Sequence, residues 1–282
     1  MNYNLRKNWV SAFDLLKAKP IILLPFIITA FFECLAVELI YFSSRKPLSI
    51  IAGPVIRKFY GEASLHYPGN VIILPNIFYY LQILIYIFIA VFLTGVSINI
   101  FRNVKEGLPL RTNAFIKNAL KRCGAFLSFG ILMIILLFLL KKADLFIFNK
   151  LARLAAKQAP RFVGRAYFSG ASLFLFASNI ILQTFFILAL PIMVMQKSPL
   201  VKALGKSISL GFRRFFSLFA LILVPSLLFL PIALLKSNAT QLAQMTFPEI
   251  TVAITLLGIV LTIFIDSFVI VCASQFLLDT EE

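Results

Sequence analysis

Six apolar stretches free of lysine and arginine alternate with short basic ones along this chain, at residues 21–42, 71–101, 124–140, 167–195, 215–235 and 250–278. About 20 apolar residues suffice to cross a hydrocarbon core of ~30 Å. Lipid offers no partner for a free N–H or C=O, so stretches this apolar are predicted to be helices. The expected fold class is all-α: a polytopic membrane helix bundle with six transmembrane helices. A basic start precedes the first stretch, as it would in a cleavable leader. That stretch is about twice as long as a leader's apolar region and lacks a small-x-small cleavage site, so it reads as the first helix.

The stretches fall into pairs, and a basic amphipathic segment introduces each pair. Leu5, Trp9, Phe13 and Leu16 recur at helical spacing among Arg6, Lys7, Lys17 and Lys19. Phe115, Ala119 and Cys123 do so among Lys117, Lys121 and Arg122, and Leu200, Leu204 and Ile208 among Lys202 and Lys206. The second, fourth and sixth stretches are roughly 30 residues long, so at 1.5 Å per residue they exceed ~40 Å and must tilt, kink or project. The unit implied is a surface-lying amphipathic helix, a short outgoing helix and a long returning one. Three pseudo-repeated hairpins, at about 1–105, 106–195 and 196–282, would then make up a single membrane domain spanning 1–282.

Composition supports the membrane reading. Hydrophobic residues make up 61% and charged residues 13% of the chain, against roughly 45–50% and 25% in soluble domains. No polar segment reaches the ~50 residues of a separate globular domain. A net charge of +16 would suggest nucleic acid in a soluble protein. Here the charges flank membrane helices, so the expected contacts are anionic lipid headgroups and no nucleic acid. Basic residues on the amino-terminal side (residues 6–19, 102–122 and 197–214) slightly outnumber those on the other side, which predicts both termini in the cytoplasm. Cys34, Cys123 and Cys272 are scattered and give neither a metal spacing nor a disulfide framework. No residue pattern asks for a metal or a cofactor.

Two acids, Glu33 and Asp266, fall near the middle of apolar stretches. A carboxylate there costs roughly 2.5–3.5 kcal/mol on insertion scales, so it is expected to face the bundle interior. With no lysine or arginine inside any apolar stretch, hydrogen bonds from Gln82, Asn179 and Gln183 are the predicted compensation; Asn179 and Gln183, four apart, share a helix face. These five residues form a candidate intramembrane polar site. It could be a proton or cation site, or interhelical hydrogen bonding worth about 0.6 kcal/mol per bond. A second candidate is the stripe Lys150, Arg153, Lys157, Arg161 and Arg165, stepping by three or four with Leu151, Leu154 and Phe162 beside it. It reads as an interfacial helix for anionic headgroups, at about 1 kcal/mol per basic residue. A partner protein or an acidic polymer would also suit it, and a homo-oligomer is a further partnership open to the chain as a whole. Catalytic signatures are missing: His66 is the only histidine, and there is no Gly-x-Ser-x-Gly and no phosphate-binding loop. The expectation is a protein that is not an enzyme.

The stretch KSPLVKALGKSISLGFRRFFSLFALILVP, from Lys197 to Pro225, joins Pro-Leu-x-x-Ala-Leu to a basic run, an aromatic pair and an apolar helix. With Ser11-Ala-Phe-Asp14 and Lys19-Pro20 at the start, it resembles a bacterial six-helix membrane family. That family includes the membrane domain fused to some glycerophosphodiester phosphodiesterases. The resemblance implies a multi-pass protein of the bacterial inner membrane; no phosphodiesterase domain is present to carry that activity. Two functions are expected from these features. The first is a non-enzymatic membrane protein acting through anionic-lipid contact or as an accessory subunit. The alternative is a transporter or permease built around the intramembrane acids.

Overall fold

The computed structural model describes residues 5–109, 112–156 and 163–280. Among them every regular element is helical. The amphipathic α1 (Leu5–Ala18) leads through a 3₁₀ turn at Pro20–Leu23 into α2 (Leu24–Tyr41), then to the surface helix α3 (Leu48–Tyr60) and the single turn α4 (Gly69–Ile72). Next, α5 (Leu74–Ile85), a π-helical turn at Tyr86–Ala90 and α6 (Val91–Lys105) form one continuous 32-residue rod. Beyond it lie α7 (Thr112–Leu120), α8 (Cys123–Ala156), α9 (Val163–Phe186) and α10 (Ala189–Met195). The last third contains α11 (Leu200–Arg213), α12 (Phe215–Leu227), α13 (Leu230–Ser237), α14 (Ala239–Met245) and α15 (Ile250–Asp279).

Five helical segments are long and apolar enough to cross a membrane: Pro20–Tyr41, Leu74–Lys105, Cys123–Ile147, Leu173–Met195 and Ile250–Asp279. The fifth predicted stretch, 215–235, is not one long helix. It divides into α12 and α13, and Leu200–Arg213 meets Phe215–Leu227 at 95°. That bend is what a surface-lying helix makes on turning into the bilayer. At 1.5 Å per residue the 13 residues of α12 cover only about 20 Å. Counting that bent pair as one span gives six candidate crossings among the described residues. Asn8 Nδ2 donates to the Cys272 carbonyl (3.3 Å) and Gln275 Nε2 to Ser11 Oγ (2.7 Å), so α1 lies against the carboxyl-terminal end of α15.

The three amphipathic segments form α1, α7 and α11; in α7 the expected Phe115 and Ala119 are buried, whereas in α1 and α11 smaller residues take the most buried positions. In α1 the buried residues are Asn8 and Ala12, whereas Phe13 is 62% exposed. In α11 the small residues Ala203, Ser207 and Gly211 are buried. A Cβ on Gly211 would stand 3.2 Å from the Phe185 Cα, and Ser207 Oγ donates to the Phe185 carbonyl at 2.7 Å. Close backbone approach through small residues is the usual means of packing helices in lipid, where burying a leucine gains nothing over leaving it in the acyl chains. Pro25 and Pro231 open α2 and α13, while Pro225 lies inside α12.

Two apolar clusters form the core. The larger unites Ile22 of the 3₁₀ turn and Phe26 of α2 with Phe101, Phe126, Leu221 and the Ile265–Leu277 part of α15, towards the face bearing α1. The smaller joins Ala36, Val37 and Ile40 to Leu74, Phe78 and Ile259, towards the opposite face. Between them α2 and α15 carry their acids.

Candidate functional site

Glu33 sits on α2 between the two clusters, with its side chain turned inward to 8% exposure. Gln82, two turns into α5, donates from Nε2 to Glu33 Oε1 at 2.9 Å. In sequence the two residues are 49 positions apart; the packing of α2 along α5 brings them together. Asp266 comes from the middle of α15, which also packs along α2. Glu33 and Asp266 line the same cavity of about 280 Å³, together with Thr29, Tyr79, Gln82, Tyr86 and Thr262. Asp266 has no hydrogen-bond partner among the described residues. Its side chain is exposed and borders the cavity.

A second cavity of about 270 Å³ adjoins the first. Phe26, Thr29, Tyr86, Ala90, Ile134, Leu137 and Asp266 belong to both walls. The second adds Thr94, Gln183 and Ser226 to the polar lining. Four of the five residues predicted for an intramembrane site therefore line two neighbouring cavities: Glu33 and Gln82 the first, Gln183 the second, and Asp266 both. Asn179, one turn from Gln183 on α9, is half-buried and lies outside both linings.

Irregular backbone converges on the same place. The π-helical turn Tyr86–Ala90 forms part of both walls. At the second cavity α9 breaks into α10 beside Ile187 and Leu190, and α12 breaks into α13 just past Ser226. A π turn widens the helix and leaves backbone groups without their usual partners, which is why such turns gather at functional sites. Discontinuous membrane helices likewise occur where backbone lines a cavity.

The sequence reading did not anticipate one charge. Lys236 lies beyond the fifth apolar stretch, yet α13 directs its ammonium back against α15, where a Cβ on Gly258 would stand 2.8 Å from Nζ. The Lys236 ammonium is 5.5 Å from the Phe229 ring centroid and within Coulombic range of Glu33. Glu33 thus has a cationic neighbour from a loop-proximal residue, in addition to the amide partner. On the same face Lys141 Nζ stands 4.9 Å over the ring of Tyr79, whose side chain lines the cavity. The Gly258 notch is the only sequence signal for the Lys236 placement, and it has meaning only once α13 is known to cross α15.

The basic stripe fares differently. α8 runs for 34 residues, well past the end of its apolar stretch, so Lys150 and Arg153 are exposed positions on the extended third spanning helix rather than on a separate interfacial one. Arg165 belongs to α9. Lys157, Arg161 and Phe162 lie outside the described residues, as do the side chains of Leu151 and Leu154. Elsewhere Arg6, Lys7 and Lys105 line a shallow depression with Asp14 on the α1 face. Among the described residues no three His, Cys, Asp or Glu side chains group as metal ligands. No family model, curated protein or solved structure matches the chain. The chain is a multi-pass integral membrane protein of helical architecture, by the length and hydropathy of its helices.

Proposed function

We propose that this protein is a non-enzymatic carrier that binds a small solute in a mid-membrane acidic cavity and couples its passage to the charge state of Glu33 and Asp266. One observation carries this reading: two carboxylates from different helices share a cavity walled in part by a π-helical turn, and Asp266 also borders a second cavity where two more helices break. An intramembrane acid that served only to join helices would be buried in a hydrogen bond. Asp266 instead opens onto the cavity without a partner among the described residues. Keeping such a group in the bilayer is costly, and that cost points to a ligand or ion pathway.

Protein reconstituted on a solid-supported membrane and subjected to a pH jump tests the reading. Protons that reach Glu33 and Asp266 through a water-accessible path must move charge within the membrane field and give a transient current. The expected result is a current abolished in the Glu33→Gln, Asp266→Asn double variant. A double variant with the wild-type current would end the carrier reading.

A second reading, anionic-lipid contact, has its own support in the depression between Arg6, Lys7 and Lys105 and the exposed Lys150 and Arg153. Its prediction is phospholipid retained in native mass spectra and lost on replacing Arg6 and Lys105 by glutamate. A stoichiometric protein partner in those spectra would instead make the chain an accessory subunit.

A further inference from the structure

The walls of the first cavity specify more than a proton site. Its volume of about 280 Å³ corresponds to roughly nine waters at ~30 Å³ each, which is room for an organic molecule. Phe26, Tyr79, Tyr86 and Phe138 line it alongside the two carboxylates. Aromatic faces present the negative side of a quadrupole, and a cation that is itself partly apolar is what such faces hold best. Small inorganic cations seek converging oxygens, and among the described residues the acids do not group that way.

Alkylammonium groups of the chain itself already act on two residues of its wall, Tyr79 and Glu33. Lys141 Nζ caps the Tyr79 ring, and Lys236 Nζ lies between the Phe229 ring and the Gly258 notch, facing the charge of Glu33. The carboxyl of Asp266 borders the same cavity and has no hydrogen-bond or ion-pair partner among the described residues. We propose that the cavity binds an organic monocation, an alkyl- or arylalkyl-ammonium, between Glu33 and Asp266 and in competition with the Lys236 side chain. This proposal rests on the carrier reading and names its substrate class. Entry of the ligand ammonium screens Glu33 from Lys236. The lysine's four-carbon stem then allows its head to swing out to the headgroup layer, as long basic side chains do at membrane surfaces.

Binding of radiolabelled benzyltrimethylammonium to the purified full chain tests the proposal, with neopentylbenzene, its uncharged isostere, as competitor. Expected is saturable binding, weakened at least tenfold by Glu33→Gln and by Asp266→Asn and poorly competed by the isostere. Lys236→Met, which keeps the length and removes the charge, should tighten binding several-fold. That variant leaves both carboxylates in place, so it remains informative even if a carboxyl variant folds poorly. No saturable binding, binding indifferent to both carboxyl variants, equal competition by neopentylbenzene, or an unchanged affinity in Lys236→Met would each overturn the proposal. A pH-jump current that still depends on the two carboxyls, with no ammonium binding, would remove the substrate class and leave the carrier reading standing.

Discussion

At the residue scale, the Glu33 carboxyl depends on a single amide. Gln82 is its one hydrogen-bond partner among the described residues, and Lys236 acts on it through space. Replacing Gln82 by leucine leaves an acid in an apolar interior without its donor. Such orphaned groups cost about 1–3 kcal/mol, so Gln82→Leu should lower the thermal midpoint in detergent. Adding Glu33→Leu should restore most of the loss, because two apolar partners of similar shape need no hydrogen bond. An additive double variant would show that the 2.9 Å contact does not couple the two residues. The acids themselves were legible in the sequence as charges in the middle of apolar stretches. Gln82 was recognisable as a donor at matching depth. Lys236 was not, because its contribution comes from the direction of α13 and not from its position in the chain.

Helix contacts at the element scale rest on a few close approaches. A Cβ at Gly95 would stand 2.7 Å from the Phe126 ring, so α6 and α8 meet where the glycine makes room for the phenylalanine. Overpacking of this kind costs typically about 1–3 kcal/mol. Gly95→Val is expected to destabilise the fold by that amount, with partial rescue by Phe126→Leu, as read by thermal unfolding. The other junction is a clasp: Arg122, just before α8, donates to the carbonyls of Met193 and Lys197, and Arg102 to that of Met195 at 3.5 Å. These carbonyls belong to the last turn of α10 and the residues after it, where no intrahelical donor exists. Hydrogen bonds involving a charged group contribute about 1.5–3 kcal/mol each. Arg122→Met should therefore loosen the α10 end, seen as faster amide exchange across the α11 amino terminus, whereas Arg122→Lys should restore only part of the protection because an ammonium lacks the fork. The basic residues on this loop were read from the sequence as topology and headgroup contacts. Arg102 and Arg122 are instead bound to backbone carbonyls.

For the whole molecule, the consequence of these contacts is parity. The α1–α15 latch joins the two ends, and both ends on one face with the segment 215–237 crossing as α12 and α13 is the expected outcome. Single cysteines placed in a background lacking Cys34, Cys123 and Cys272 check this with an impermeant thiol reagent. Cysteines at Glu106 and Lys197 should react from one side of the membrane and those at Arg45 and Thr246 from the other. Labelling of the Thr246 position from the same side as Lys197 would show that α12 and α13 do not cross. The latch has a cost of its own: Asn8 Oδ1, Trp9 Nε1, Ser274 Oγ and Gln275 Oε1 are buried there without partners. Gln275→Leu is accordingly expected to be milder than a typical buried polar loss, removing one hydrogen bond together with one unsatisfied oxygen. Its effect on the melting temperature relative to Asn8→Leu measures the balance.

Composition and hydropathy alone determined that this chain is helical and membrane-embedded, because lipid admits few other ways of satisfying a backbone. They also showed where charge would be costly, at Glu33 and Asp266. Whether those costs fall on one site was decided by the tertiary structure. Packing of α6 on α8, α11 on α9 and α13 on α15 uses glycine notches and small-residue faces, and arginine clasps hold the α10 end, all between residues far apart in the chain that leave no periodic trace in it. The same packing divided the fifth apolar stretch, carried α8 far beyond its apolar run, and turned Lys236 inward. Hydrophobicity fixes which segments enter the bilayer, but inside it every lipid-facing surface is equally apolar, so shape and the few polar groups choose the neighbours.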